Sequence, residues 1–165
     1  MVKISVNDSL KDVLNANNVD VKNYIPAYNG ESAGLDLYNT GKNIYIMSAG
    51  NQYISRSPDL KILIPTGIRV AIPKGYVGLI QERGSITKTP LKVRAGVIDS
   101  GYTGEVFVNC INVTRNEFTI SKGCKLPFQL VVVKCDNEFE VVSEEEYLSL
   151  SRDSSRKEGI VGSSD

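Results

Sequence analysis

The stretch Ile64–Ile80, IPTGIRVAIPKGYVGLI, constrains the fold more than any other part of the chain. Runs of Ile, Val, Leu and Tyr alternate there with Pro and Gly at intervals too short for a long helix. Pro removes a ladder donor and Gly weakens a strand interior, so both belong at the edges of runs. Leu60–Ile64, Ile68–Ile72 and Tyr76–Ile80 therefore read as strands, with Pro65-Thr66-Gly67 and Pro73-Lys74-Gly75 as turns between them. Ile44–Met47, Val106–Val113, Phe118–Ile120 and Leu130–Lys134 continue the pattern. Many short strands without alternating long helices predict an all-β sandwich or barrel and argue against a doubly wound α/β fold.

Helix is confined to two places. Leu10, Val13 and Leu14 follow Asp8-Ser9 at helical spacing, enough for one or two turns. Ser143-Glu144-Glu145-Glu146 has the form of a capping box ahead of Tyr147 and Leu148. Past Leu150 the chain reads SRDSSRKEGIVGSSD, polar and rich in Ser and Gly, with little to bury. The expected organisation is one β domain over residues 1–150 and a flexible arm over 151–165.

Composition narrows the chemistry. The 165 residues contain no histidine, which removes Ser-His-Asp and Cys-His nucleophile pairs and imidazole-ligated zinc. Proton transfer near neutral pH then falls to a carboxylate, Lys, Tyr, Cys or metal-bound water. Nineteen Lys and Arg balance 19 Asp and Glu, so no basic surplus exists to coat a nucleic acid. The balance hides an asymmetry. Between Arg56 and Arg94 eight basic residues face only Asp59 and Glu82, whereas Asp136–Glu158 is acidic. A basic middle attracts an anionic ligand or is simply a solvated strand surface.

Cys110, Cys124 and Cys135 are odd in number and lack C-x-x-C spacing, the pattern of thiols in a reducing compartment. The start, MVKISVNDSLKDV, holds no apolar run of signal-peptide length, and no segment approaches the roughly 20 apolar residues of a membrane span. The expectation is a soluble, intracellular protein with neither a membrane nor a nucleic-acid partner.

The most informative segment is Ala95-Gly96-Val97-Ile98-Asp99-Ser100-Gly101-Tyr102-Thr103-Gly104-Glu105-Val106. It reads as a turn-rich hairpin that sets an acid, Asp99, beside an aromatic, Tyr102. Frayed pairing there leaves backbone N–H and C=O groups able to read a planar heterocycle. An Asp in a turn is also a routine Asx-turn former, and this segment alone does not separate the two readings.

The segment resembles the third motif of the dUTP diphosphatase (dUTPase) family, whose members are homotrimers of all-β subunits with a distorted jelly-roll, or β-clip, barrel. Four further stretches resemble that family's other motifs in order. They are Ser32-Ala33-Gly34-Leu35-Asp36-Leu37, Glu82-Arg83-Gly84-Ser85-Ile86, Lys122-Gly123-Cys124-Lys125-Leu126-Pro127-Phe128-Gln129-Leu130, and Arg156-Lys157-Glu158-Gly159-Ile160-Val161-Gly162-Ser163-Ser164. The likeness runs from about Ser32 to the C-terminus.

The resemblance implies hydrolysis of dUTP to dUMP and pyrophosphate, with water attacking the α-phosphorus and Mg²⁺ as cofactor. It implies that Asp99 activates the water and that Asp36 supports the metal through its water shell. Arg83, Gly84 and Ser85 then face the polyphosphate. The ring of Tyr102 lies under the deoxyribose, and backbone around Ala95, Gly96, Val97 and Ile98 reads uracil. Gln129 is implied as a partner of metal-bound water or phosphate. Arg156, Ser163 and Ser164 are implied at the γ-phosphate with Val161 over the base, all on an arm that reaches a neighbouring subunit.

Several positions depart from the family pattern. Gly84 stands where a serine is usual, Val161 where a phenylalanine is usual, and Asp165 where a glycine is common. The interval from Gly123 to Gln129 is one residue longer than usual and holds Pro127-Phe128 in place of a small residue. The segment 7–28 is longer than the family's start requires and carries no motif. Two alternatives share the scaffold, a dUTP-binding regulatory protein and a dCTP deaminase. For the deaminase, the implied acid–base glutamate falls on Asn109, which cannot shuttle a proton.

Overall fold

A computed structural model describes residues 1–25, 31–47, 62–136 and 138–152. Among these residues ten strands form two four-stranded antiparallel sheets and one two-stranded ribbon. The first sheet has the order β1 (Lys3–Val6), β4 (Leu63–Ala71), β8 (Glu105–Asn112), β6 (Leu91–Arg94). The second has the order β2 (Leu35–Tyr38), β10 (Lys125–Lys134), β5 (Tyr76–Glu82), β7 (Val97–Ile98). The ribbon pairs β3 (Ile44–Ile46) with β9 (Phe118–Ile120). This is the all-β architecture expected from the short punctuated runs.

The core draws on alternate residues of the strands. On β8, Val106, Val108, Cys110 and Asn112 are buried while the residues between them are not. Ile64, Ile68, Leu37, Leu126 and Phe128 are almost wholly removed from solvent and join the same cluster. Burial pushes the Cys110 thiol up to about 12, so it serves as a small apolar filler.

Two turns expected from the sequence take another form. Pro65-Thr66-Gly67 does not separate two strands. β4 runs straight through it, and its register with β8 slips between Pro65 and Arg69, which marks a bulge. Gly67 takes φ +71° there, Thr66 Oγ1 donates to the Val106 carbonyl at 2.5 Å, and Gly67 N–H donates to Glu105 Oε1 at 2.9 Å. The bulge keeps its polar groups satisfied, so the strand need not end.

The hairpin expected over 95–106 does not form either. β7 pairs with β5 through Gly78–Ile98 and Leu79–Val97, whereas β8 pairs with β4 and β6. Residues 99–104 therefore cross from one sheet to the other.

The N-terminal segment proves to be structural. Helix α1 (Asp8–Ala16) is capped by Asn7, whose Oδ1 accepts from Leu10 N–H at 2.9 Å, and it buries Leu10, Val13 and Leu14 in the core. One further turn, α2 (Val21–Tyr24), is capped by Asp20 and buries Tyr24. Near the other end, helix α3 (Glu144–Arg152) starts at the expected cap, with Glu146 N–H donating to Ser143 Oγ at 3.2 Å. Among the described residues no helix is long and apolar enough to cross a membrane.

Candidate active site

The sequence-predicted residues gather in two places. At the first, β10 holds β2 on one side and β5 on the other. Asp36, midway along β2, pairs in register with Gln129 on β10. Arg83 follows the last residue of β5 and leads into a 3-10 helix over Gly84–Lys88. Its Nε lies 2.6 Å from Asp36 Oδ1, and Lys125 Nζ contacts the other carboxylate oxygen. One carboxylate thus sits between two cations, and the cluster carries a net positive charge suited to an anionic ligand.

The long fourth motif explains this geometry. The register of β10 on β2 moves from Lys125–Tyr38 to Gln129–Asp36, so four steps on β10 match two on β2. The extra length is absorbed as a bulge that returns Lys125 and Gln129 to the face of Asp36. Pro127 has no N–H to lose, its carbonyl accepts from Arg83 N–H at 2.9 Å, and Phe128 plugs the core with no exposure. Gly34 packs against Gln129 so closely that a Cβ there would lie 2.7 Å from Gln129 Oε1. Gly84 and Ser85 are exposed at the start of the 3-10 helix, and a side chain at Gly84 would enter open space. Among the described residues nothing would clash with a serine at that position.

A polar recess of about 160 Å³ adjoins Asp36 and Lys125. Asn23 and Tyr24 wall it from the N-terminal side, Ser32 and Gly34 from the segment before β2, and Tyr38 from β2 itself. Tyr24 Oη donates to the backbone carbonyl of Asp36 at 2.5 Å, and its ring meets Tyr38 edge-on at 6.0 Å. Burial, together with Tyr38 and Asp36, pushes the Tyr24 phenol far above its ordinary range, so it stays a donor. Burial and Asp36 raise Tyr38 too, opposed by Arg83.

At the second place, Ala95, Val97, Ile98, Asp99 and Tyr102 line a pocket of about 300 Å³, closed by Leu63, Ile80, Val106 and Phe107. Gly96 passes so near β5 that a Cβ there would lie 2.9 Å from the Ile80 carbonyl oxygen, and Ile80 N–H donates to the Gly96 carbonyl at 2.7 Å. Ala95 adopts φ +50°, which turns the chain into β7. Asp99 is exposed, and its carbonyl accepts from Tyr102 N–H at 3.0 Å. Tyr102 Oη donates to the Glu105 carbonyl at 2.6 Å, which fixes a ring that is still 42% exposed.

The two places share no lining residue. Arg156, Val161, Ser163 and Ser164 lie outside the described residues, as does the arm beyond Arg152. Sequence reasoning singled out neither Lys125 nor Tyr24 as a site residue, and it passed over Leu63 and Phe107. Lys125 was visible as a basic residue within the fourth motif. Phe107 stands out in hindsight as an outward aromatic between inward Val106 and Val108. Tyr24 carried no signal of its own.

Among the described residues no cluster of three or more Cys, Asp or Glu is placed to cage a metal. Both oxygens of the lone carboxylate Asp36 already face Arg83 and Lys125, so a divalent cation here would be held largely by water and by ligands from elsewhere.

The dUTPase family model matches residues 21–165. The deoxyuridine 5'-triphosphate nucleotidohydrolase of Mycolicibacterium gilvum is 36% identical over 148 residues, covering 84% of this chain and 84% of that protein. Its counterpart from Wolbachia pipientis subsp. Culex pipiens is 34% identical over 137 residues, with 81% of each covered. Among solved structures, the native EIAV dUTPase matches 70% of this chain and 87% of its own at 28% identity and TM-score 0.55. A phage 80α dUTPase variant matches 99% and 98% at 22% identity and TM-score 0.67, a likeness of fold. A variant dUTPase from S. aureus phage phi11, described with a structural Mg(II) ion, covers 88% of this chain and 99% of its own at 22% identity and TM-score 0.61.

Proposed function

The chain belongs to the dUTPase family, and on that premise we propose that it hydrolyses dUTP to dUMP and pyrophosphate with its third-motif pocket and its Asp36–Arg83 cluster as the two halves of one site. The observation that carries this reading is the pocket at 95–102, where an exposed carboxylate and a fixed tyrosine share one concavity in a chain without histidine. About 300 Å³ suits a nucleobase with its sugar, at the lower end of small-molecule sites.

In this reading uracil lies against β7, whose two residues leave backbone groups over for its polar edge. The Tyr102 ring underlies the deoxyribose and leaves no room for a 2'-hydroxyl. Asp99 accepts the proton of the water that attacks the α-phosphorus. Hydrolysis of this kind depends on positioning and charge neutralisation more than on covalent chemistry. Arg83, with Gly84 and Ser85 beside it, holds the polyphosphate, and Gln129 orients phosphate or water. Asp36 would support Mg²⁺ through water; the ion would offset phosphate charge. Arg156, Val161, Ser163 and Ser164 would complete the site from the arm.

The two places share no lining residue, which fits a homotrimer in which neighbouring subunits complete each site. The protein's place is then inside the cell, with its deoxynucleotide substrate.

Asp99→Asn tests the reading. It is expected to keep affinity for dUTP in calorimetry while turnover falls by a factor of at least ~10², the usual contribution of a positioned general base. Turnover near that of the unmodified protein would remove Asp99 from the role.

A further inference from the structure

The N-terminal segment has no place in the reaction described above, yet it reaches β2 at Asp36 and the turn ahead of β10. We propose that residues 17–24 are a positioning clamp for the polyphosphate half of the site, with Tyr24 acting on Asp36 and Asn17 acting on the turn before Lys125. The inference rests on the assignment of Asp36 to that half-site.

The clamp is anchored far from the site. Asn7 N–H donates to the Gly67 carbonyl at 2.9 Å, and Gly67 leaves room for Asn7 and Leu10 that any Cβ would take. The apolar face of α1 then fixes the helix in the core. Its far end carries Asn17, whose Nδ2 donates to the Val13 carbonyl at 2.8 Å and to the Gly123 carbonyl at 3.1 Å. Gly123 turns the chain at φ +75° directly ahead of β10 and Lys125.

Asn18 ends the helix at φ +56°, and Val19 N–H returns to the Leu14 carbonyl at 2.9 Å. Asp20 then caps α2 through Lys22 N–H at 2.7 Å, and this turn delivers Tyr24. Apart from the exposed Asn17–Gly123 bond, each link is a cap or a buried contact, so the path from β4 to Asp36 has little slack.

Packing alone does not account for Tyr24. Its ring supplies the apolar contact, and a phenylalanine would supply the same. The hydroxyl adds a bond to the backbone of the one residue whose carboxylate lies between Arg83 and Lys125. Among the described residues β2 is an edge strand, held by β10 on one side. A tether on its backbone therefore sets where that carboxylate stands.

The test compares Tyr24→Phe, Asp36→Asn and the double variant by steady-state kinetics, and by calorimetry with a non-hydrolysable α,β-imido analogue of dUTP. Tyr24→Phe is expected to raise KM and weaken analogue binding by about three- to tenfold, the range of one hydrogen bond, with kcat within about twofold. The thermal midpoint should fall by no more than about a few degrees, the scale of one lost hydrogen bond. The penalty should vanish in the Asp36→Asn background. Unchanged KM and affinity in Tyr24→Phe would overturn the inference, and so would a penalty of equal size with Asp36 already replaced. If Tyr24→Phe does not fold, Asn17→Ala takes its place. It should raise KM about twofold or more through the loss of one exposed bond, and an unchanged KM there would overturn the clamp. A normal KM in Asp36→Asn alone would instead remove Asp36 from the polyphosphate, and the inference would fall with that assignment.

Discussion

Tyr102 and Gly104 share so little space that a Cβ on Gly104 would lie 2.6 Å from Tyr102 Oη and 2.8 Å from Cζ. The hydroxyl is already committed to the Glu105 carbonyl, so the ring cannot yield without breaking that bond. Gly104→Ala is therefore expected to tilt the ring away from the sugar. Discrimination between dUTP and UTP, read as the ratio of their kcat/KM values, should fall by about tenfold, the scale of a small steric change in a binding pocket. An unchanged ratio would mean that the ring does not police the 2'-position. Asp99 and Tyr102 were legible in the sequence because a short motif holds both. Tyr24 was not, because its partner is a backbone oxygen 12 residues away and no side-chain pattern records such a bond.

The bulge in β10 shows what an element adds to its residues. In the sequence, Pro127-Phe128 reads as a flaw in the fourth motif. In the fold it is the device that brings Lys125, Gln129 and the Arg83 backbone to Asp36. Phe128 is fully buried, and Phe128→Ala should cost about 3–5 kcal/mol in urea unfolding, as large-to-small core changes do. A loss under about 1 kcal/mol would show that the bulge collapses around the gap without strain. The strands rich in Ile and Val were legible, as were the cap at Ser143 and the buried face of α1, whereas β1, β2, β6 and the first half of β10 were not. Strand connection was not. Pro65-Thr66-Gly67 and the 95–106 segment carry turn residues, but whether such residues reverse a strand, bulge it or pass it between sheets depends on distant partners. Thr66 answers to Val106 and Gly96 to Ile80, and local spacing holds neither contact.

At the scale of the molecule, the proposed trimer draws the two half-sites from different subunits. A mixture of Asp99→Asn and Arg83→Ala chains, each inactive alone, should regain activity after unfolding and refolding together. With random assembly and halves drawn from different chains, about a quarter of the sites would hold both intact residues. No regain at any mixing ratio would place both halves in one chain. The zero net charge also resolves at this scale. It averages a basic middle that contains Arg83, a few acids set at the site, and an acidic C-terminal part. In the proposed reading the missing histidine is no obstacle, because Asp99 serves as the base. The most direct measurement is product release from dUTP, dCTP, dTTP and UTP, each incubated separately with the protein and Mg²⁺. Pyrophosphate from dUTP, little from the other three and no ammonia from dCTP is the predicted result. Ammonia from dCTP, or no pyrophosphate from dUTP, would contradict it.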